Sequence, residues 1–256
     1  VVSGKGGVGK STVSCNLAVA TQQLGARVGL LDADIYGPSL PTMMGIHTKP
    51  EITQEQRYLP PVAHQVECMS MGLLQEDGPL IWRGPMLAKA LIQMLDTTNW
   101  SELDCLYLDL PPGTGDIPLS LVQKIPLSGA IIVTTPQTIA TLDAEKAIQM
   151  FIKTNVPILG IVSNMAWHEC QSCHDKNYIF GHDGAKNLAQ KYMLPLLGEI
   201  PLVTKIRESS DEGNPIATLQ NHPLYQTWQQ TALNITQILS QKAKISASKF
   251  PPIRQE

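Results

Sequence analysis

The sequence predicts an α/β protein with a doubly wound, mostly parallel sheet and helices on both faces. Short aliphatic segments alternate with longer segments of helical spacing along nearly the whole chain, which is the pattern of repeated strand–helix–strand units. Several short segments, such as VGLL at 28–31 and ILGIVSN at 158–164, are apolar almost throughout, as expected for strands buried on both faces. At 256 residues, the chain is long enough to bury such a sheet.

Local signals define the individual elements. The first helix is predicted from Val13, Leu17 and Leu24, which recur at roughly helical spacing and are followed by Gly25 as a stop signal. The second predicted helix, at 84–95, has Pro85 in its first turn, where proline is favoured. The predicted strands lie at 1–2, 28–31, 68–72, 106–110, 130–135, 158–164 and 196–200. The predicted helices lie at 11–24, 84–95, 141–153, 183–192 and 224–240, with a polar loop at 167–178.

Composition and charge exclude several classes of protein. Apolar residues make up 43% of the chain, which excludes an intrinsically disordered protein. The net charge is −3, so binding to nucleic acid through bulk charge is not expected. No apolar run approaches the length of a membrane-spanning helix, so no segment is expected to span a membrane.

The cysteines indicate a reducing compartment. There are five, an odd number with no visible signal peptide, which argues against a disulfide framework and favours a cytoplasmic location. Cys15, Cys68 and Cys105 fall on predicted helices or strands and are expected to be small core residues.

A glycine-rich segment after the first strand predicts a phosphate site. Residues 4–11 match G-x-x-x-x-G-K-[ST], with a strand before them and a helix after them. The glycines allow backbone N–H groups to surround phosphates, Lys10 reaches the β- and γ-phosphates of ATP, and Ser11 ligates Mg²⁺. The alternative is a simple glycine turn into a helix. The predicted nucleotide-binding residues here are Gly4, Lys5, Gly6, Gly7, Val8, Gly9, Lys10, Ser11 and Thr12.

Two further strand ends predict the rest of the nucleotide site. Asp109 ends the strand LYLDL, where a Walker B carboxylate holds Mg²⁺ through water, and the loop containing Gly113 follows it. Asp32 and Asp34 end another strand at the same carboxyl edge, where open α/β sheets bind ligands. Each aspartate could instead cap the next helix.

The segment GKGGVGKST at 4–12 resembles the deviant Walker A motif of the MinD/ParA class of P-loop NTPases. The resemblance implies that Lys5 reaches across a dimer interface to the partner's nucleotide. It also implies that Asp34 orients the attacking water, so the expected catalytic residues are Lys5, Lys10 and Asp34.

Within that class, the chain resembles the Mrp/ApbC family of iron–sulfur cluster carrier ATPases. The resemblance implies a nucleotide-dependent homodimer, apo iron–sulfur proteins as recipients, and nucleotide contacts from Asn164, at adenine, and Pro201. It also implies a small domain before the ATPase in many members. The segments that carry it are GKGGVGKSTV at 4–13, LLDADIYGPSLPTMMG at 30–45, WRGPM at 82–86, DLPPGTGD at 109–116, TTPQ at 134–137, SNM at 163–165 with Cys170-x-x-Cys173, and GEIPL at 198–202.

Cys170 and Cys173, flanked by His168 and His174, allow four interpretations. The spacing formally matches a c-type haem site, and a thioredoxin-like redox pair is a second possibility. A structural zinc would use the two thiolates and a histidine. A [4Fe–4S] cluster needs four thiolates, which two chains would supply around a two-fold axis. We favour the shared cluster.

The sequence therefore allows three candidate functions. The first is an ATPase that carries an iron–sulfur cluster; the second is a MinD/ParA-like spatial organiser; the third is a small-molecule phosphotransferase or ligase. The final helix carries almost no charge before Lys242, unlike a basic membrane anchor, and nothing identifies an acceptor pocket. We expect the carrier, with an ATPase domain at 1–242 and a frayed tail at 243–256. Because a buried strand usually has about five residues, we expect the natural protein to begin before Val1.

Overall fold

In the computed structural model, the chain forms a mostly parallel sheet covered by helices on both faces, as predicted. The structure describes residues 1–34, 37–74, 84–170 and 172–246. The strands are β1 Val2–Ser3, β2 Val28–Asp32, β3 Glu51–Ile52, β4 Tyr58–Leu59, β5 Val62–Ala63, β6 Val66–Ser70, β7 Cys105–Asp109, β8 Ala130–Thr134, β9 Ile158–Ser163, β10 His168–Glu169, β11 Lys176–Asn177 and β12 Leu196–Glu199. The helices are α1 Lys10–Gln23, α2 Leu40–Met43, α3 Met71–Leu74, α4 Gly84–Thr97, α5 Asp116–Lys124, α6 Thr138–Lys153, α7 Gly184–Lys191, α8 Thr204–Asp211 and α9 Leu224–Ser246, with a 3₁₀ turn at Ile216–Thr218.

The sheet consists of two halves that meet at β1. One half has the order β5-β6-β2-β7 and the other β1-β8-β9-β12, and all neighbours are parallel except β5 and β6. Backbone hydrogen bonds from Leu110 to Val1 (3.1 Å) and from Gly113 to Ser3 (2.9 Å) connect the halves. The chain therefore adds strands first on one side of β1 and then on the other, and such a reversal is where open α/β sheets bind ligands.

The two faces of the sheet bury separate apolar cores. Consecutive strand residues point to opposite faces, so Leu30 joins one core and Leu31 the other. Helices α1 and α9 cover the first face, where Trp228 is fully buried. Helices α4 to α7 cover the second, around Phe151. No helix among the described residues is both long and apolar enough to cross a membrane.

Several element boundaries differ from the prediction. The strand predicted at 68–72 is Val66–Ser70, because the chain turns into α3 at Met71. The helix predicted at 141–153 starts earlier, at Thr138, and the last helix continues past 240 to Ser246. Helix α9 includes residue 242, where the predicted ATPase domain ends, and this domain division stays a prediction. Residues 247–256 lie outside the described residues. So do 35–36 and 82–83, which belong to two of the segments quoted for the resemblance.

Short elements escaped prediction. Helix α5 carries Pro118 near its start, which disguises a helix although proline is tolerated in the first turn. The polar loop at 167–178 contains the hairpin of β10 and β11. Two- to four-residue elements are too short to show a period.

Candidate nucleotide site and cysteine hairpin

The phosphate loop occupies the turn between β1 and α1. Gly7 and Gly9 both have φ of +81°, a left-handed conformation that strains any residue with a Cβ. At Gly9 a Cβ would also overlap the side-chain amide of Asn164. The loop shape thus requires glycine at these two positions, and the N-terminus of α1 follows directly.

Asp109, at the end of β7, accepts hydrogen bonds from the start of α1. The Lys10 ammonium lies 2.7 Å and the Ser11 hydroxyl 2.6 Å from Asp109 Oδ2. Both charged groups are buried, with 6% of Lys10 and 1% of Asp109 exposed. The structure therefore brings together Lys10, Ser11 and Asp109, which the sequence predicted as parts of one site.

A second carboxylate lies beside Asp109 at the end of the neighbouring strand. Asp32 is the register partner of Asp109 between β2 and β7. Its Oδ1 accepts a hydrogen bond from the Asp34 backbone (3.0 Å), and its Oδ2 accepts bonds from the Leu40 backbone (3.3 Å) and the Ser70 hydroxyl (3.2 Å). Burial, together with the negative charge of Asp109, raises the pKa of Asp32 to about 7.

The donor set fits a magnesium ion, which the phosphate-loop motif implies. Mg²⁺ prefers hard oxygen ligands and retains several waters, and the Ser11 hydroxyl and the Asp109 carboxylate supply such oxygens in a buried corner. The Asp32 carboxyl lies level with Asp109 at the end of the neighbouring strand. Ser11 would ligate the ion directly and Asp109 through water.

The remaining predicted residues also lie along this edge. Asn164 follows β9 and donates from Nδ2 to the Val8 carbonyl (2.8 Å), so its amide supports the phosphate loop; its predicted contact with adenine stays a prediction. Pro201 is buried just after β12, and Thr12 lies in the first turn of α1. The carboxyl end of the sheet therefore gathers residues from five strand ends.

Lys5 is half-buried in the loop itself. Its backbone carbonyl accepts a hydrogen bond from the Ser3 hydroxyl (2.8 Å). No carboxylate among the described residues pairs with its ammonium group. A contact of Lys5 with a second chain stays a prediction.

Cys170 and Cys173 lie in the turn of the β10–β11 hairpin. The turn is closed by backbone hydrogen bonds from Cys170 to the Asp175 carbonyl (3.0 Å) and from His174 to the Cys170 carbonyl (2.9 Å). Cys170 is half-buried and Cys173 is exposed. The hairpin thus presents the two sulfur atoms together near the surface.

The environment of Cys170 favours a thiolate. Hydrogen bonds to its sulfur from the Cys173 backbone, and then from the Ser172 backbone, lower the pKa of the Cys170 thiol below its ordinary value. N–H groups aimed at sulfur stabilise the negative form that binds metals.

The flanking histidines each make one hydrogen-bond contact through Nδ1. His168 Nδ1 lies 3.0 Å from the Leu202 carbonyl, and His174 Nδ1 lies 2.8 Å from Glu169 Oε1. Within the part of the chain that the structure describes, no group of three His, Cys, Asp or Glu residues could hold a metal ion. One chain therefore supplies a pair of thiols rather than a complete site.

Comparison with known proteins identifies the family. Residues 1–237 match the family model described as "ParA: NUBPL iron-transfer P-loop NTPase". The chain belongs to this NUBPL family. The predicted resemblance to iron–sulfur cluster carriers of the MinD/ParA class is thereby confirmed.

Curated NUBPL-family relatives are similar over most of the chain. An iron–sulfur cluster carrier protein of Pseudomonas fragi is 50% identical over 237 residues, covering 91% of this chain and 83% of the relative. The Arabidopsis thaliana mitochondrial "iron-sulfur protein required for NADH dehydrogenase" is 52% identical, covering 84% of this chain and 70% of the relative. The chain spans only 59% of the length of the carrier protein of Escherichia coli K12, to which it is 52% identical.

Solved structures confirm the predicted fold class. A nucleotide-binding protein of Archaeoglobus fulgidus in complex with ADP has a TM-score of 0.77 and 39% identity, covering 89% of this chain and 88% of that chain. The cell division ATPase MinD of Pyrococcus furiosus has a TM-score of 0.69 over 93% of this chain and 97% of that chain. At 24% identity, the likeness to MinD shows the fold alone.

Sequence reasoning missed two residues of the site. Ser14 donates to Asp109 Oδ1 (2.6 Å), and Ser70 donates to Asp32. Ser14 lies one helical turn after Lys10, so the helical period places both on one face of α1. Ser70 carries no comparable signal, because its contact depends on the pairing of β6 with β2.

Proposed function

We propose that this chain binds ATP with Mg²⁺ at the phosphate loop, hydrolyses it slowly, and carries a [4Fe–4S] cluster at the interface of a homodimer for delivery to apo-proteins. The observation that carries the proposal is the β10–β11 hairpin, which holds two thiols together on a chain of the iron-transfer family. Relatives named iron–sulfur cluster carrier proteins support it.

The nucleotide chemistry follows from groups already in place. Lys10 would neutralise charge on the β- and γ-phosphates, where negative charge grows in the transition state. Mg²⁺, when bound, neutralises further phosphate charge and organises water around it. Asp34 would orient the attacking water, and Lys5 would reach the nucleotide of the partner. The A. fulgidus relative, a nucleotide-binding protein in complex with ADP, supports nucleotide binding by this chain.

The cargo explains why one chain has only two suitable thiols. A four-iron cluster requires four thiolates, and a two-fold axis at the hairpin would supply the second pair. Ligation by a surface loop leaves the cluster open to exchange, which a carrier requires. We treat the cluster as cargo rather than as a permanent part of the protein.

Two alternatives receive less support. A structural zinc in one chain needs ligands besides the two thiolates, and no group of three His, Cys, Asp or Glu residues in the described part of the chain could hold a metal ion. A spatial organiser needs an exposed anchor, whereas α9 buries Trp228 and Ile235 completely against the sheet.

Anaerobic reconstitution tests the proposal. The wild-type protein, supplied with iron and sulfide, should form a brown dimer containing about two irons per chain, because one four-iron cluster is shared by two chains. The cluster should pass to an apo-protein with suitable cysteines. Cys170→Ser and Cys173→Ser should each lose the cluster and the transfer while retaining ATP binding.

The matched control is Cys105→Ser, a cysteine on β7 away from the hairpin, which should load iron like the wild type. His168→Ala and His174→Ala should also load iron. One tightly bound zinc per chain in a monomer, lost in either histidine variant, would contradict the carrier proposal.

A further inference from the structure

Ser14 is a buried hydroxyl that the phosphate-loop motif does not include. It lies on α1, is fully buried, and places Oγ 2.6 Å from Asp109 Oδ1. The same oxygen lies 3.0 Å from the Lys10 carbonyl. Since a hydroxyl has only one hydrogen to donate, the two acceptors compete for it.

The carboxylate is the stronger acceptor. Its contact is shorter by 0.4 Å (3.0 Å against 2.6 Å), and hydrogen bonds to an ionised acceptor are about twice as strong as those to a neutral one. Ser14 therefore donates to Asp109, and the Lys10 carbonyl keeps its place in the helical hydrogen-bond ladder.

The two oxygens of Asp109 have different partners. Oδ2 accepts hydrogen bonds from Lys10 and Ser11, whereas Oδ1 accepts one from Ser14. In the proposed function Lys10 turns to the phosphates and Ser11 to Mg²⁺. Ser14 has no ligand to contact in the proposed function. Its hydrogen bond to the buried Asp109 carboxylate therefore persists when the nucleotide binds.

We propose that Ser14 is a positioning residue for magnesium: its hydroxyl holds Oδ1 of Asp109 so that Oδ2 is the oxygen presented to the water shell of the ion. The inference rests on the proposed nucleotide site and deepens it. Partners that orient a metal-binding carboxylate typically change metal affinity or activity about 10- to 100-fold when they are removed.

A purely structural role of Ser14 would affect stability but not the magnesium requirement. Helix α1 contains a second buried hydroxyl that serves as the matched control. Thr21, also fully buried on α1, makes a hydrogen bond of 2.8 Å with the Tyr107 hydroxyl on β7. Both hydroxyls thus connect the same helix to the same strand, but only Ser14 contacts the predicted magnesium carboxylate. Thr21→Val removes the second hydroxyl without a change of shape.

The experiment measures binding of a fluorescent ADP analogue to the full chain, first in EDTA and then at increasing Mg²⁺. Ser14→Ala should match the wild type in EDTA, but should need about 10- to 100-fold more Mg²⁺ to reach half of the magnesium-dependent gain in affinity. Ser14→Thr, which keeps the hydroxyl, should restore the wild-type requirement. Thr21→Val should lower the unfolding temperature without changing the magnesium requirement.

The outcomes separate this inference from the proposed function. An unchanged magnesium requirement in Ser14→Ala, or an equal change in Thr21→Val, would overturn the positioning role while leaving the nucleotide site intact. A wild-type protein that binds no nucleotide would overturn the site and this inference together. If Ser14→Ala does not fold, Ser14→Cys, whose thiol is a weak donor, should show the same increased magnesium requirement.

Discussion

At the scale of single residues, the nucleotide site is organised around one buried carboxylate. Asp109 accepts hydrogen bonds from Lys10, Ser11 and Ser14 within 2.7 Å, and only 1% of it is exposed. Burying an ion is costly unless charge and hydrogen bonds compensate for the lost water. These three donors compensate for the burial of Asp109. In the proposed function Lys10 and Ser11 also contact the phosphates and Mg²⁺, whereas Ser14 stays with Asp109.

Lys10→Ala should abolish ATP turnover. The variant lacks the cation for the β- and γ-phosphates, and measurement of phosphate release checks the loss. It should also lower the free energy of unfolding by about 3–5 kcal/mol, since the Asp109 charge stays buried without its cation. Lys153→Ala, an exposed lysine at the end of α6, is the control and should change neither quantity. Normal turnover in folded Lys10→Ala protein would contradict the assignment.

The Asp32 carboxyl should make stability depend on pH. Its pKa is 3.8 in the unfolded reference and about 7 in the folded chain, chiefly because of burial and the nearby Asp109. Between these values the folded state holds a proton that the unfolded state releases, so this contribution to the free energy of unfolding falls as pH rises.

Asp32→Asn removes that dependence. Relative to the wild type, its free energy of unfolding should rise between pH 4 and pH 7 by up to about 4 kcal/mol, because each pKa unit corresponds to about 1.4 kcal/mol. Chemical denaturation without nucleotide or Mg²⁺ at several pH values measures the difference. Asp116→Asn, at an exposed aspartate, should show no such trend. A pH-independent difference for Asp32→Asn would refute the raised pKa.

At the scale of elements, short turns create both sites. The phosphate loop needs left-handed backbone at Gly7 and Gly9, and the β10–β11 hairpin brings Cys170 and Cys173 into one turn. In each case a rigid parallel sheet or a paired hairpin fixes the two ends of the turn. Its conformation is therefore defined by backbone hydrogen bonds as well as by its own residues.

For alanine substitutions along the phosphate loop, the loss in the free energy of unfolding should increase with backbone strain and with steric crowding at each glycine. Gly6 has neither a left-handed φ nor a close neighbour, Gly7 has the left-handed φ alone, and Gly9 has both the φ and the contact with Asn164. Gly6→Ala should leave the free energy of unfolding unchanged. Gly7→Ala should lower it by about 1–2 kcal/mol, and Gly9→Ala by more. Thermal unfolding without nucleotide checks the order; an equal loss for Gly7→Ala and Gly9→Ala would contradict the role of Asn164.

At the scale of the whole molecule, the sheet brings distant segments to one edge. The two halves meet at β1, so the loop that follows β1 lies between the carboxyl ends of β7 and β8. This edge carries Lys5, Asp34 and Asn164. The second chain that we propose would approach this face with its own Lys5.

Mixing two inactive variants should restore ATP hydrolysis if Lys5 acts across the dimer. Lys5→Ala and Asp34→Ala should each hydrolyse ATP poorly alone. In a mixed dimer, one site receives Lys5 from the Asp34→Ala chain and keeps its own Asp34, so it is complete. Phosphate release by the mixture is the measurement.

The control is a mixture of two tagged Lys5→Ala chains, which should stay inactive. Absence of any recovery, in a sample where tags prove that mixed dimers have formed, would contradict the cross-dimer role of Lys5.

The sequence by itself determined the features whose parts are close along the chain. The phosphate loop at 4–11 and the pair Cys170 and Cys173 each lie within eight residues. Spacing alone therefore predicted the phosphate site and a pair of candidate metal-binding thiols, although it left four interpretations of the pair open. The alternation of apolar strands and helices likewise predicted the parallel sheet, since period and length are local properties. The cytoplasmic location and the division at residue 242 stay predictions.

Only the tertiary structure decided which distant residues meet. The hydrogen bond from Ser14 to Asp109 joins residues 95 apart, and that from Ser70 to Asp32 joins residues 38 apart. Both depend on strand order and register, which place Asp32 level with Asp109 and with Ser70 on neighbouring strands. Local patterns define each strand and which faces it buries, but not its neighbours, because pairing is selected by the packing of the whole sheet.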